Sequence, residues 1–108
     1  MTEHVVLIVR FVPKPGMYDA FRAHLYRLAE TMAGEAHFVN TIVHDDIDRP
    51  GELVLYEIWS GTRERWEREE PPKAYRAAYE ARVPEFLERR DITWLTPVRE
   101  LGSQLTGG

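Results

Sequence analysis

A single carboxylate interrupts an otherwise apolar segment, residues 53–59, which reads Leu-Val-Leu-Tyr-Glu-Ile-Trp. If this segment is a strand, side-chain alternation places Glu57 beside Leu55 and Trp59 on one face. A carboxylate buried among apolar neighbours costs folding free energy unless it is paired, so Glu57 is either half of an ion pair or a reactive group. Burial would raise its pKa and suit it to general-base chemistry. The alternative is an ion pair with Arg10 of a neighbouring strand.

Three histidines are further candidates for acid–base catalysis, because an imidazole titrates near neutral pH. His37 and His44 lie on the second predicted strand, and His24 lies on the first predicted helix beside its apolar stripe. Each could instead be a surface residue, or one whose hydrogen bonds are satisfied within the fold. Cysteine is absent, and no two histidines have the spacing of a metal site. We therefore predict neither a metal nor thiolate chemistry.

Substrate binding requires aromatic walls and polar groups, and we assign to it Arg10, Asn40, Trp59, Tyr75 and Tyr79. Trp59 could stack on an aromatic ligand, and Arg10 could orient a substrate hydroxyl group. One of the two tyrosines could direct its own hydroxyl into a pocket. The alternative role of the tryptophan and the tyrosines is packing in the core.

The first half of the chain predicts three strands and a helix. Residues 4–12 form an apolar strand, which a proline- and glycine-rich turn at 13–16 ends. A helical stripe follows at Met17, Phe21, Leu25, Leu28 and Met32. Residues 36–45 and 52–59 form two more strands, joined by a hairpin loop at 46–51. Alternation places on one face of the second strand Phe38, Asn40, Ile42 and His44.

The second half predicts a polar helix, a longer helix and a last strand. Thr62 can cap the polar helix, and Pro71 and Pro72 break it. The longer helix begins at Lys73, and Pro84 should kink or restart it. Its stripe consists of Tyr75, Ala78, Tyr79, Val83 and Phe86. The last strand runs from residue 91 to about residue 100, and residues 102–108 form a flexible tail.

The predicted order is β-α-β-β-α-β, which is the ferredoxin-like arrangement of an antiparallel sheet with its helices on one face. We therefore predict an α+β fold with one domain over residues 1–101. The helices cover one sheet face only, and the other face would expose a large apolar patch. We predict that a second copy of the chain covers this patch in a homodimer. A ligand pocket is then expected between each sheet and its own helices.

Composition narrows the class of protein. The chain has 108 residues, of which 44% are hydrophobic, as in a globular domain rather than a disordered chain. The net charge of −4 and the absence of a basic patch argue against a nucleic-acid partner. The sequence has neither a membrane-spanning segment nor a signal peptide, so we predict a cytoplasmic protein without a membrane partner.

Several segments together resemble the antibiotic biosynthesis monooxygenase domain, a family of dimeric α+β barrels. The resemblance covers residues 4–100 and rests on the first strand with Arg10, the turn residues Pro15 and Gly16, and the paired aspartates before the third strand. It also rests on residues 56–60, Tyr-Glu-Ile-Trp-Ser, on residues 72–75 of the second helical region, and on residues 95–97, Leu-Thr-Pro. The order and spacing of these segments are more specific for the fold than for the activity.

The resemblance implies a cofactor-independent monooxygenase that oxidises a small or polycyclic aromatic, such as a hydroquinone or a polyketide anthrone, with O₂. Such chemistry needs a base, a cation or hydrogen-bond donor to stabilise the substrate anion, and walls that exclude water. It needs no cofactor. Many members of the family carry a histidine after the tryptophan strand, whereas residues 62–79 contain none here.

The same fold allows other functions. A cyclase or isomerase would use the acid–base residues without O₂, and a binding barrel would hold a small molecule without catalysis. Heme degradation is a further alternative within the family. It is disfavoured because Arg76 stands where the heme-ligating histidine is expected, and Val9 stands where an asparagine is expected.

Overall fold

The fold is a four-stranded sheet covered by helices on one face. The computed structural model describes residues 3–102. In chain order its elements are β1 His4–Pro13, α1 Tyr18–Met32, β2 Phe38–Asp45, β3 Leu53–Ser60, α2 Arg63–Glu69, α3 Ala74–Phe86 and β4 Leu87–Leu95. This order confirms the predicted ferredoxin-like α+β class. The predicted tail lies mostly outside the described residues.

The sheet has the strand order β2-β3-β1-β4, and every neighbouring pair is antiparallel. Glu57 lies in the middle of β3, opposite Leu7 of β1 and Thr41 of β2. Because β3 and β1 are the two inner strands, Glu57 is flanked on both sides by hydrogen-bonded backbone. The sheet is open, since β2 and β4 form its two edges. One chain therefore does not close a barrel.

The core lies between the sheet and the helices. The apolar stripe of α1 is buried as its spacing predicts, with Phe21, Leu25 and Met32 fully inaccessible to solvent. Phe11 of β1 contacts Phe21, with ring centroids 4.9 Å apart. Thr62 caps α2 as predicted, because its hydroxyl accepts a hydrogen bond from the Arg65 backbone N–H at 3.0 Å.

A β-bulge changes the predicted faces of β2. Phe38 pairs with Trp59 and Asn40 pairs with Ile58, so one residue on β2 is left without a counterpart on β3. Phe38 consequently lies on the helix-covered face, where its ring meets Trp59 edge-on at 5.5 Å. The prediction that Phe38 shares a face with Asn40 and Ile42 was wrong, since alternation holds only where no residue is inserted.

The last strand begins earlier than predicted. The α3 helix includes Pro84 and ends at Phe86, and β4 follows at once with Leu87 paired to Pro13 of β1. Leu87 is buried in the core, which fixes the start of the strand. The strand ends at Leu95, shortly before Pro97, which has no backbone N–H to donate. The predicted start at residue 91 and the predicted end near residue 100 were therefore both wrong, because the strand begins and ends earlier.

Candidate active site

A cavity of about 220 Å³ lies between the sheet and the helices α1, α2 and α3. Its apolar walls are formed by Leu7, Val9, Phe11, Leu28, Leu55 and Ile92. Polar side chains also line it, among them Glu57 from β3, Arg76 and Tyr79 from α3, and Trp66 from α2 through its ring. The cavity thus combines an acid, a cation, a phenol and an indole in an apolar surrounding.

Glu57 is the acid of this cavity, and its side chain is 3% exposed. Its Oε1 atom accepts a hydrogen bond of 2.8 Å from the Trp59 indole Nε1, two residues along the same face of β3. Burial raises the pKa of Glu57 above its ordinary value, and the Trp59 hydrogen bond and the positive charge of Arg76 only partly oppose this. Glu57 is therefore a stronger base, once ionised, than an exposed glutamate.

Arg76 is the cation, and it is 6% exposed on the inner side of α3. Among residues 3–102 it makes no ion pair, and its Nε and Nη2 atoms have no hydrogen-bond partner. Its guanidinium carbon lies 5.1 Å from the centroid of the Trp66 ring, a cation–π contact. A buried guanidinium without a counter-ion is costly, so this position is a candidate for binding an anion.

Two further hydrogen-bond donors are buried at the cavity. The Tyr79 hydroxyl and the Trp66 Nε1 have no partner within the described part of the chain. Burial raises the pKa of Tyr79 well above its ordinary value, so the phenol stays protonated. Both groups can donate a hydrogen bond to a ligand oxygen that enters the cavity.

His24 lies behind Tyr79 and not on the cavity wall. Its ring stacks on the Tyr79 ring with centroids 4.5 Å apart, and its Nε2 lies 3.1 Å from the Tyr79 backbone oxygen. These contacts join α1 to α3 and fix the direction of the phenol. His24 thus supports a cavity residue, and a role as general base remains a prediction that its position does not favour.

An ion pair between α3 and the edge strand β4 also lines the cavity. Its members are Glu80 of α3 and Arg90 of β4, 2.8 Å apart. Both side chains are partly exposed, at 40% and 30%.

The predicted ion pair between Glu57 and Arg10 was wrong. Arg10 of β1 pairs in the sheet with Val54, so its side chain lies on the face opposite Glu57. Its Nη1 instead forms ion pairs with Asp46 at 2.8 Å and Glu52 at 2.9 Å, at the base of the β2–β3 hairpin. Arg10 is outside the cavity, and its assignment to substrate binding has no support in this geometry.

Four other predicted residues also lie away from the cavity. Asn40 and His44 belong to the sheet face opposite Glu57, where His44 Nδ1 lies 3.1 Å from the Val54 backbone oxygen. His37 is exposed before β2. Tyr75 is half-buried in a groove between α1 and α3, on the other side of the helix layer. Of the predicted residues, only Glu57 and Tyr79 line the cavity, with Trp59 held against Glu57.

Arg76 and Trp66 were not predicted as site residues, although a signal for Arg76 is present in the sequence. The buried residues of α3 are Arg76, Tyr79, Val83 and Phe86, which follow helical spacing. Arg76 therefore occupies a core position of the stripe, and an arginine at such a position is unusual. Trp66 lacks a comparable signal, because its neighbours in α2 are charged.

The described residues contain neither a metal-binding cluster nor a membrane-spanning helix. Within residues 3–102, no group of three or more histidine, aspartate and glutamate side chains is arranged to hold a metal ion. In the same range, no helix is both long and apolar enough to cross a membrane.

Comparison with known proteins gives one family match and many structural matches. The model of the family described as antibiotic biosynthesis monooxygenase matches residues 4–81. Rv0793 from Mycobacterium tuberculosis is 29% identical, with a TM-score of 0.80 over 92% of this chain and 99% of that chain. Protein SO0527 from Shewanella oneidensis is 21% identical, with a TM-score of 0.79 over 88% of this chain and 91% of its own.

A third structural match is SnoaB, described as a cofactor-independent oxygenase from Streptomyces nogalater. It is 16% identical, with a TM-score of 0.77 over 92% of this chain and 97% of that one. At this level of identity the likeness concerns the fold alone. No curated protein matches the chain.

Proposed function

The chain belongs to the antibiotic biosynthesis monooxygenase family, and we propose that it is a cofactor-independent monooxygenase of a small hydroxylated aromatic compound. The observation that carries this proposal is that one cavity contains both a buried acid and a buried cation. Glu57 is a buried acid with a raised pKa, and Arg76 is a buried cation without a counter-ion among the described residues. A proton acceptor and an anion stabiliser are the two groups that activation of a phenol by deprotonation requires.

In the proposed reaction, ionised Glu57 removes a proton from a ring hydroxyl of a hydroquinone. The positive charge of Arg76 stabilises the phenolate that forms, and the buried Tyr79 and Trp66 donors can hydrogen-bond to its oxygen. Glu57, whose carboxylic acid form the apolar cavity favours, holds the transferred proton until the peroxide that forms with O₂ takes it back before water is lost. The residues thus favour proton transfer from the phenol to the protein.

The phenolate then reduces O₂ by one electron, and the resulting radical pair joins to form a carbon–oxygen bond. Loss of water gives a hydroxylated quinone, so that hydroquinone and O₂ yield hydroxyquinone and water. The apolar walls of the cavity offer water few hydrogen-bond partners beside the reacting ring, which limits escape of the radicals. The description of SnoaB as a cofactor-independent oxygenase supports this reaction class for the fold.

We also propose that the protein acts as a homodimer. The sheet face opposite the helices presents Ile42 and Leu95 with exposed fractions of 44% and 45%. Beyond β4, Val98 and Leu101 are 97% and 81% exposed. Apolar side chains on this face and in the adjoining segment would be buried if two sheets packed face to face. The two open sheets together would then form the barrel that one chain does not close.

Oxygen uptake by purified, metal-stripped protein tests the proposed reaction. Single-ring and two-ring hydroquinones would be supplied, with boiled protein as the control for autoxidation. We expect uptake that requires native protein and that Glu57→Gln reduces by about 10²–10⁴-fold, the usual contribution of a general base. The matched control Glu30→Gln changes an exposed acid on α1 and should leave the rate unchanged.

Uptake by Glu57→Gln at the native rate would remove Glu57 as the base. Two other results would contradict the oxygenase itself. Conversion of the substrate at the same rate under nitrogen would indicate an isomerase or cyclase, which can use Glu57 and Arg76 without O₂. Saturable binding without any product would indicate a binding protein.

A further inference from the structure

The cation inside the cavity has no counter-ion. Arg76 has no acidic side chain in ion-pair contact among residues 3–102. Glu57, the acid in the same cavity, makes no ion pair with Arg76 and instead accepts a hydrogen bond from the Trp59 indole. The guanidinium therefore lies in a largely apolar surrounding with one edge available to an anion. An anion that entered would therefore be attracted more strongly than an isosteric neutral molecule.

The unpartnered nitrogens of Arg76 also define the edge of the guanidinium at which an anion can bind. Nε and Nη2 are the two nitrogens without hydrogen-bond partners, and they share one edge of the planar guanidinium. The N–H bonds on this edge are parallel and match the two oxygens of a carboxylate in a bidentate pair. The Trp66 ring, 5.1 Å from the guanidinium carbon, restricts the orientation of this edge.

The size of the cavity limits the ligand. Its volume of about 220 Å³ exceeds the roughly 150 Å³ of an engineered apolar cavity that binds benzene. It is below the roughly 300–1,000 Å³ of cavities that hold drug-sized ligands. One aromatic ring, or two fused rings, with short polar substituents fits such a space, whereas a linear three-ring anthrone would require the walls to move.

We propose that the cavity binds a one- or two-ring aromatic carboxylate, whose carboxylate pairs with the Nε–Nη2 edge of Arg76. This deepens the proposed function and rests on it for the reaction, in which the ring also carries the hydroxyl that Glu57 deprotonates. With Arg76 paired to the carboxylate, the buried Tyr79 and Trp66 donors take over the hydrogen bonds to the phenolate oxygen. The carboxylate fixes the ring against the Trp66 side of the cavity. The reaction would then be the oxygenation of a hydroxylated aromatic acid, with the carboxylate as a specificity determinant.

Binding of matched ligands under nitrogen tests this proposal without any reaction. Benzoate and benzamide have nearly the same shape and differ in charge, so their dissociation constants would be compared by isothermal titration calorimetry. We expect benzoate to bind at least about tenfold more tightly than benzamide to the native protein. Arg76→Met should abolish this preference. Arg76→Lys should retain part of it, because lysine keeps the positive charge but lacks the two parallel N–H donors of the guanidinium.

The matched control is Arg27→Met, which removes an exposed arginine of α1 and should preserve the preference. For size, 2-naphthoate should bind and 2-anthracenecarboxylate should bind at least about tenfold more weakly. Equal affinity for benzoate and benzamide, or a preference that survives in Arg76→Met, would overturn the proposal. If Arg76→Met does not fold, the native ligand pair and Arg76→Lys still decide it.

Failure of this proposal can be told apart from failure of the proposed function. Charge-selective binding of benzoate, combined with no oxygen uptake on dihydroxybenzoates, would contradict the oxygenase and support the carboxylate site. Rapid uptake with neutral hydroquinones and no preference for the acids would support the oxygenase and overturn the carboxylate site.

Discussion

Two buried acids in this protein have opposite surroundings. Glu70, which follows α2, is fully buried and forms ion pairs with Arg65 at 2.8 Å and Lys73 at 3.0 Å. Glu57, on β3, is 3% exposed and receives one hydrogen bond, from the neutral indole of Trp59. Within the described residues, the protein thus neutralises one buried carboxylate with two cations and gives the other none in ion-pair contact.

The difference separates a structural site from a candidate reactive site. The ion pairs of Glu70 span the break at Pro71 and Pro72, and so hold the end of α2 to the start of α3. Arg65 also donates a hydrogen bond of 3.1 Å to the Ser60 backbone oxygen, which joins the same cluster to β3. Each charged side chain of this cluster is in ion-pair contact, whereas among the described residues neither Arg76 nor Glu57 is. A buried charged group that the fold leaves without an ion pair is available to a ligand.

The largest effect on folding is expected at the paired acid. Glu70→Gln should lower the free energy of unfolding by about 3 kcal/mol, because Arg65 and Lys73, which are partly buried, lose the anion that they share. The value is at the lower end of the usual range, since Arg65 keeps Glu69 at 3.6 Å and Lys73 keeps its ion pair with Glu35. Urea denaturation measures it, with Glu67→Gln as the control in an exposed pair. Equal stability of the two variants would contradict the structural role.

Glu57→Gln should change stability in the opposite direction, and the change should depend on pH. The folded pKa of Glu57 lies above its ordinary value of 4.5, so the folded state binds more protons between these two pKa values. The native protein therefore loses stability as pH rises from about 4.5 through the folded pKa, by about 1.4 kcal/mol for each unit of pKa difference. Glutamine cannot ionise, and it retains an oxygen for the Trp59 hydrogen bond.

Urea midpoints between pH 5 and pH 8 check this prediction. The stability of Glu57→Gln relative to the native protein should increase with pH over this range. Parallel curves for the two proteins would mean that Glu57 ionises as readily in the fold as in the unfolded chain, and the comparison with Glu70 would then lose its basis.

The smallest effect is expected at Tyr79. Its hydroxyl has no partner among the described residues, so Tyr79→Phe should change the free energy of unfolding by less than about 1 kcal/mol. The ring and its stacking on His24 are kept. If the hydroxyl donates to the substrate anion, kcat/KM should fall by about tenfold, a loss of about 1.4 kcal/mol. A large loss of stability with unchanged kcat/KM would show that the hydroxyl has a structural partner instead.

The fold could be predicted from the sequence because local patterns determine most of it. Continuous apolar runs define β1 and β3, and the spacing of Phe21, Leu25 and Leu28 defines the buried face of α1. Features that depend on contacts between elements were predicted less well. The bulge after Phe38 follows from pairing with Trp59, and the start of β4 at Leu87 follows from pairing with Pro13.

The site could be predicted only in part for the same reason. Glu57 is conspicuous because its sequence neighbours are apolar. Its partner could not be deduced, since whether Arg10 shares its face depends on the register of β1 with β3. Arg76 has the spacing of the buried α3 residues, but it was not predicted as a site residue because an arginine is usually solvated.

The hydrogen bond from Trp59 to Glu57 also couples the tryptophan fluorescence of this protein to the ionisation of Glu57. The three tryptophans of the chain form one series of edge-on contacts, in which Trp66 lines the cavity. The ring centroids are 6.4 Å apart for Trp59 and Trp66 and 5.3 Å apart for Trp66 and Trp94. Ionisation of Glu57 places a negative charge at the indole Nε1 of Trp59, and a ligand on Arg76 lies against Trp66. The intrinsic fluorescence of the protein should therefore register both the proton on Glu57 and the occupancy of the cavity, without an added label.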